Sequence, residues 1–198
     1  MSKGQETREA ILVHAIELFN IKGYAGTSMA DVMQATGMTK GGIYNHFENK
    51  EALAVEAFDY AYKCISDMML QFLNGKRDPI PRLLAVIGFF RTYFETPPFK
   101  GGCVLLNTAI ESDDDMLPAL RERARHGMSL WQDLIRRTVA RGVSQGVMKP
   151  TIDPDAVATL IIGTLEGALM MSKLFDNPGY IRTAVDHMLD YVDTNIRS

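Results

Sequence analysis

Apolar residues recur at three- and four-residue spacing through the long segments of the chain, and this pattern restricts the fold more than any other feature. Residues 5–22 show it clearly: glutamate and lysine occupy one side, and the other side carries Ile11, Leu12, Ala15, Ile16 and Phe19. A period near 3.6 residues is typical of an amphipathic helix, whereas half-buried strands alternate with a period of two. We therefore predict an all-α fold of about nine helices without a sheet.

Capping residues, glycines and prolines locate the ends of these helices. Ser28 followed by Asp31 is a capping-box pattern, and Asn49 is placed to cap a long fourth helix. Gly23 and Gly37 are expected to end the first two helices. Three later starts pair a capping residue with a proline: Asp78-Pro79, Asp153-Pro154 and Asn177-Pro178. The predicted helices cover about 5–22, 28–36, 39–47 and 50–73, then begin at 79, near 100–102, at about 116, at 154 and at 178.

A compact three-helix unit ends at Asn49, where the long helix begins. We therefore expect one domain at 1–49 and a second at 50–198. No apolar run approaches the roughly 20 residues of a membrane span. The N-terminus also lacks a signal-peptide pattern, which favours a cytoplasmic protein.

Residues 28–47 have the layout of a DNA-binding helix-turn-helix, with Gly37 in the turn. On a helical wheel, Ile43 and Phe47 point inward, while Gly41 and Asn45 point outward, flanked by Gly42 and Tyr44. Two adjacent glycines cost a helix about 1 kcal/mol each relative to alanine. Their presence favours a function in which the backbone approaches another surface closely, such as a DNA groove.

The predicted DNA contacts surround this second helix. Thr39, Lys40 and Asn45 can reach base edges, and Tyr44, His46 and Lys50 suit phosphates. The net charge of the chain is −3, so we expect modest non-specific affinity. The full predicted set is Thr27, Ser28, Thr39, Lys40, Gly41, Gly42, Tyr44, Asn45, His46 and Lys50.

The stretch from Thr39 to Glu51, with Ala52-Leu53 after it, resembles the recognition helix of the TetR family of bacterial regulators. Ala15-x-x-Leu18-Phe19, Gly23-Tyr24 and Thr27-Ser28 also match, so the resemblance covers about residues 8–55. It implies a homodimer that binds a palindromic operator and is released by a small-molecule inducer. Repression is the usual outcome in this family, and activation stays an alternative.

The resemblance also implies that the last two long helices pair with those of a second protomer. Gly163-x-x-x-Gly167 would permit close helix packing, and the predicted interface is Gly163, Gly167, Met170, Met171, Met188 and Tyr191. The alternative is an ordinary helix crossing within one chain.

A cluster of aromatic residues in the middle region is either plain core or the wall of an effector pocket. The predicted ligand-binding residues are Phe90, Tyr93, Phe94, Cys103, Asn107 and Trp131. An apolar or aromatic small molecule is the expected ligand. Cys103 follows two glycines at a predicted helix start, where backbone amides favour a reactive thiol, and its modification by an oxidant or electrophile is a second predicted route of release. The alternative is a small buried cysteine.

Enzyme signatures are absent from the sequence, including nucleotide-binding glycine loops and the zinc-protease motif. The four histidines are scattered, and Asp113-Asp114-Asp115 is interpreted as a solvated charge run rather than a cation site. We expect no cofactor and no metal. The principal alternative function is a helical carrier or enzyme that uses the aromatic cavity.

Overall fold

The computed structural model describes residues 2–112 and 117–198, and within them it is all-helical with nine α-helices, as predicted. A π-helical turn, Val192–Ile196, follows the last helix, and the β-structure of the described residues is one isolated bridge between Met148 and Arg197. The predicted helix start at Met116 and the Asp113–Asp115 run lie outside these residues. The helices are α1 (Lys3–Gly26), α2 (Met29–Thr36), α3 (Lys40–Tyr44), α4 (Lys50–Phe72), α5 (Pro79–Glu95), α6 (Val104–Glu111), α7 (Pro118–Ser144), α8 (Pro154–Leu174) and α9 (Gly179–Tyr191).

The predicted caps of α2 and α4 form as expected. The Ser28 hydroxyl accepts a hydrogen bond from the Asp31 amide at 3.1 Å, and the Asp31 carboxylate accepts one from the Ser28 amide at 2.8 Å. Asn49 Oδ1 accepts from the Ala52 amide at 2.8 Å. These bonds satisfy donors that a helix N-terminus leaves without intrahelical partners.

Gly23 interrupts the first helix where predicted: its φ of 78° and ψ of 164° are not helical, and a short further segment continues α1 to Gly26. Two other helix boundaries differ from the sequence-based prediction. The helix α3 ends at Tyr44 rather than at residue 47. At α9 the predicted Asn-Pro start is wrong by one residue, because Pro178 occupies the cap position and Asn177 Oδ1 accepts from the Gly179 amide at 2.8 Å.

The helices form two compact units. The first comprises residues 1–65 and 99–127, in which α1 packs on α2 and α6. The second comprises residues 66–98 and 128–198, in which α9 packs on α5 and α8. The helices α4 and α7 contribute residues to both units. The predicted domain division after Asn49 stays a prediction.

One described helix, α8, is long and apolar enough to cross a membrane by length and composition. Its 18-residue window has a mean hydropathy of 1.4, and half of that window is buried within the chain. The buried side includes Ile161 and Leu165, which are fully inaccessible to solvent. Such burial is typical of a core helix rather than of a helix facing lipid on all sides.

Candidate nucleic-acid interface

The helix-turn-helix is built from α2, a turn at Gly37 and α3. Gly37 adopts the left-handed conformation (φ 68°, ψ 15°), which a glycine accepts without strain, and it ends α2. Thr39 then caps α3, its hydroxyl accepting from the Gly42 amide at 3.2 Å. Ile43 and Phe47 are buried at 0% and 2% exposure, as the helical wheel predicts. The apolar side of α3 therefore fixes which of its residues face solvent.

The two adjacent glycines of α3 have different surroundings. A Cβ atom built on Gly41 would meet no described atom within 4 Å, so this position is open to solvent. A Cβ on Gly42 would lie 3.1 Å from Met38 Cε, and Gly42 is only half-exposed. Gly42 thus serves close packing within the unit. Gly41 alone leaves an unfilled space on the outer side of the helix.

Most of the predicted DNA-contacting residues are accessible to solvent in the first unit. They are exposed or half-exposed at Ser28, Thr39, Lys40, Gly41, Gly42, Tyr44, Asn45, His46 and Lys50. Thr27 is the exception. It is 1% exposed, and its hydroxyl is directed inward to the Gly23 carbonyl at 2.8 Å. The Thr27 side chain therefore has a structural role at the end of α1 and cannot reach a phosphate.

Two lysines of the predicted DNA-contacting set lie over aromatic rings. Lys40 Nζ is 5.7 Å from the Tyr44 ring centroid, and Lys50 Nζ is 4.0 Å from that of Tyr24. An aromatic ring orients an ammonium group without neutralising its charge. Both lysines thus remain available to an anion.

Two acidic residues of the first unit are paired with cations. Lys22 Nζ donates to Asp31 Oδ1 at 2.8 Å, and Glu56 forms an ion pair with Arg8. The hydrogen bond from Lys22, followed by those from Ser28, holds the pKa of Asp31 well below its ordinary value of 3.8. The Asp31 carboxylate is therefore ionised at neutral pH, and Lys22 offsets its repulsion of a phosphate backbone.

Comparison with known proteins decides the family. Residues 11–57 match the family described as "Bacterial regulatory proteins, tetR family", and residues 79–188 match "Tetracyclin repressor-like, C-terminal domain". The chain belongs to the TetR family. A crystal structure of a TetR transcriptional regulator from Chloroflexus aurantiacus is 45% identical, covers 100% of this chain and 99% of that one, and superposes with a TM-score of 0.94.

Two further relatives agree with this assignment. A TetR-family regulator from Cytophaga hutchinsonii is 31% identical over 100% of this chain and 98% of that one, with a TM-score of 0.84. The transcriptional repressor DhaR of Mycobacterium sp. (strain GP1) is 24% identical over 93% of this chain and 89% of that one. This TetR protein is therefore a transcriptional regulator rather than an enzyme, as the sequence predicts. Residues 2–112 and 117–198 contain no group of three His, Cys, Asp or Glu side chains able to hold a metal ion.

The predicted ligand-binding residues of this TetR protein fall in both units. Phe90, Tyr93, Phe94 and Trp131 belong to the second unit, where Phe90 and Trp131 rings are 5.5 Å apart at 85°. Phe90 and Tyr93 are buried, and Phe94 and Trp131 are half-buried. Phe90 and Trp131 thus pack edge-to-face, and the Tyr93 ring lies 5.9 Å from that of Phe89 at an angle of 33°.

Cys103 and Asn107 belong to the first unit, at the start of α6. Asn107 Nδ2 lies 2.5 Å from Asn20 Oδ1 and 3.0 Å from the Gly101 carbonyl. Asn20 Nδ2 in turn donates to the carbonyls of Lys100 and Gly102, at 2.7 and 3.0 Å. The polar atoms of Asn107 therefore join α1 to α6. A cavity of about 20 Å³ borders this network, which is space for one water molecule and not for an effector.

The predicted dimer residues divide by exposure. A Cβ on Gly163 or Gly167 would meet nothing within 4 Å in the part of the chain described, and Met170 and Met171 are exposed. Tyr191 is half-exposed, whereas Met188 is buried at 3% in the core of its own chain. The outer side of α8 is continued by Leu160 at 41% and Leu174 at 69% exposure. An apolar surface of this kind is unusual for a helix facing only water.

Two residues, Asn20 and Glu111, link α1 to α6, a role that the sequence did not predict for either of them. Asn20 is only 8% exposed and lies within the apolar side of α1. A helical wheel of α1 would have shown this polar residue among apolar ones. Glu111 Oε1 accepts from the Ala25 amide at 3.0 Å and lies beside the kink at Gly23. No local pattern indicates that second contact, because 86 residues separate the two partners.

Proposed function

We propose that this protein is a cytoplasmic repressor that binds a palindromic operator as a homodimer through the exposed side of α3. The observation that carries the proposal is the open position at Gly41, which permits close approach of the helix backbone to a major groove. Lys40 and Asn45 flank it with side chains suited to guanine and adenine edges. Repression is supported by the name of DhaR, a relative along most of the chain.

DNA recognition is tested by fluorescence anisotropy with the DNA upstream of the protein's own coding region. We expect saturable binding that survives random competitor DNA, and a loss of about tenfold for Lys40→Ala, because it removes a base or phosphate contact. Lys149→Ala is a matched control, since Lys149 is half-exposed in the second unit and donates to the Thr194 carbonyl at 2.9 Å. Equal weakening by both variants contradicts the proposed role of Lys40.

The dimer is proposed to form through the outer side of α8, with α9 beside it. Gly163 and Gly167 allow a partner helix to approach, and Met170 and Met171 supply apolar area. Gly167→Arg fills that open space with a charge, so we expect sedimentation to report a folded monomer. Lys173→Arg, on the exposed end of the same helix, should stay dimeric. A dimer that persists in Gly167→Arg with unchanged affinity refutes this interface.

Release by a small-molecule inducer is proposed to act through α6. The hydrogen bonds from Asn107 to Asn20 and from Ala25 to Glu111 connect α6 to both the middle and the end of α1. A ligand that prefers another position of α6 would shift the population away from the DNA-binding geometry. We expect Glu111→Ala to reduce inducer-dependent release while preserving DNA affinity within about threefold. A screen of apolar and aromatic compounds for release supplies the inducer.

Modification of Cys103 is a second route to release, favoured by one contact. Its sulfur lies 3.5 Å from the Leu106 amide at the start of α6, so an adduct on the thiol would displace the cap of this helix. We expect N-ethylmaleimide to release operator DNA from the wild-type protein and not from Cys103→Ser. Release of both to the same extent, or failure of Cys103 to react in the native protein, contradicts this route.

A further inference from the structure

An open cleft of about 760 Å³ in the second unit carries a concentration of positive charge that DNA binding and the aromatic cluster leave unexplained. Its charged lining consists of one carboxylate, Asp133, and five cations: Lys76, Arg77, Arg82, Arg137 and Arg141. The chain as a whole has a net charge of −3, so this excess is local. We propose that the cleft binds a small molecule that carries a diphosphate group.

The cationic side chains are positioned by backbone carbonyls rather than by carboxylates. Arg141 donates to the Arg77 carbonyl, Arg82 to the Lys76 carbonyl at 3.4 Å, and Lys76 to the Phe72 carbonyl at 2.7 Å. A carbonyl orients a guanidinium or ammonium group but leaves its full charge in place. Each arginine also has five N–H donors, most of which remain for a ligand. The turn between α4 and α5 thus holds cations in fixed positions.

The carboxylate in the cleft does not cancel this charge. Asp133 accepts from Arg136 Nη2 at 2.5 Å and from Arg137 Nη2 at 3.3 Å, and Arg136 lies outside the lining. One negative charge is therefore shared by two arginines. Lys76, Arg77, Arg82 and Arg141 face the cleft without a carboxylate partner among the described residues.

The chemistry of the lining selects the ligand class. Planar guanidinium groups donate paired hydrogen bonds to phosphate oxygens, and several of them together favour a group with more than one negative charge. The volume lies within the range of small-molecule sites. Leu130 and Leu134 on α7 add an apolar wall against which an organic moiety can pack. The proposed site is independent of the operator-binding proposal, because it lies wholly within the second unit.

The test is calorimetric titration of the full-length protein, without divalent cations, with inorganic pyrophosphate and separately with ADP. We expect saturable binding of one molecule per chain, weakened about tenfold or more in Arg77→Gln/Arg82→Gln, because two charge-assisted contacts are lost. Tighter binding of ADP identifies an organic ligand, and equal or tighter binding of pyrophosphate identifies an inorganic one. Arg182→Gln is the matched control, since Arg182 is an exposed arginine of the same unit that pairs with Glu95 at 3.3 Å.

Three results would overturn the proposal. The first is no saturable binding of either probe up to about 10 mM, where even weak phosphate sites fill. The second is equal weakening by the control and the cleft variants. The third is binding of heparin, tested in the same way, without binding of pyrophosphate or ADP, which would indicate a general attraction for long polyanions. If thermal melting shows that the double variant does not fold, Lys76→Gln/Arg137→Gln replaces two other cations of the same cleft and serves as the test.

Discussion

Replacing Gly41 by alanine separates the proposed DNA-binding role of this glycine from a structural one. Gly41 lies within α3, its φ is not in the left-handed region, and an added Cβ meets no described atom within 4 Å. Alanine is favoured over glycine in a helix by about 1 kcal/mol, so Gly41→Ala should raise the melting temperature by about 2–4 °C. If α3 enters the groove at this point, the same methyl group should weaken operator binding by about tenfold or more, equivalent to about 1.4 kcal/mol.

The assay is anisotropy with operator DNA together with thermal melting of the same preparation. Gly88→Ala provides the control, because Gly88 lies within α5 in the second unit and its added Cβ would be 3.8 Å from Phe72, an ordinary contact. This variant should also melt higher and bind DNA as the wild type does. A Gly41→Ala protein that is stabilised and binds the operator with unchanged affinity would refute the reasoning about close approach. Destabilisation by Gly41→Ala would refute the expectation that alanine stabilises α3.

Three further predictions concern the first unit. Asn20→Ala removes the buried amide that donates to the Lys100 and Gly102 carbonyls and that accepts from Asn107. We expect a loss of about 2–4 kcal/mol in the free energy of unfolding by urea titration. A loss below about 0.5 kcal/mol contradicts the network. Gly23→Ala should destabilise the folded protein by about 1–2 kcal/mol, because alanine is strained at a positive φ and its Cβ would lie 2.7 Å from Glu111 Oε1. An unchanged melting temperature would show that the kink is not required. Asp31 has a lowered pKa in the folded state, so its contribution to stability is present above pH 3.8 and is lost as the pH falls below that value. The difference in the free energy of unfolding between wild type and Asp31→Asn should therefore shrink in acid. A constant difference from pH 7 to about pH 2 would contradict this.

Local chemistry made much of the fold predictable. The caps at Ser28 and Asn49 involve partners three residues away, and the inward side of α3 follows from the spacing of Ile43 and Phe47. All of these features can be identified within a short segment of the sequence. The family resemblance rests on the same segment, which explains why the fold and the class of function could be predicted together.

Features that depend on distant residues could not be predicted. The cationic cleft joins residues 73–82 to residues 130–141, and Asn20 meets Asn107 across 87 residues. The direction of the Thr27 side chain also could not be predicted, because its hydroxyl donates inward although the neighbouring Ser28 is exposed. Met188 is different, because it follows Ile181 and Val185 at the seven- and three-residue spacing of one helical side, so the pattern of α9 could have assigned it to the core.

Hydroxyl-radical footprinting of the protein on its highest-affinity genomic fragment tests the central claim most directly. Two recognition helices held by one symmetric dimer should protect two half-sites of a palindrome, about 10–10.5 base pairs apart from centre to centre or a multiple of that spacing. Gly41→Ala should lose this protection at concentrations where Gly88→Ala retains it. Uniform protection without a palindrome, or genomic fragments that bind no tighter than random DNA, would contradict sequence-specific recognition by α3.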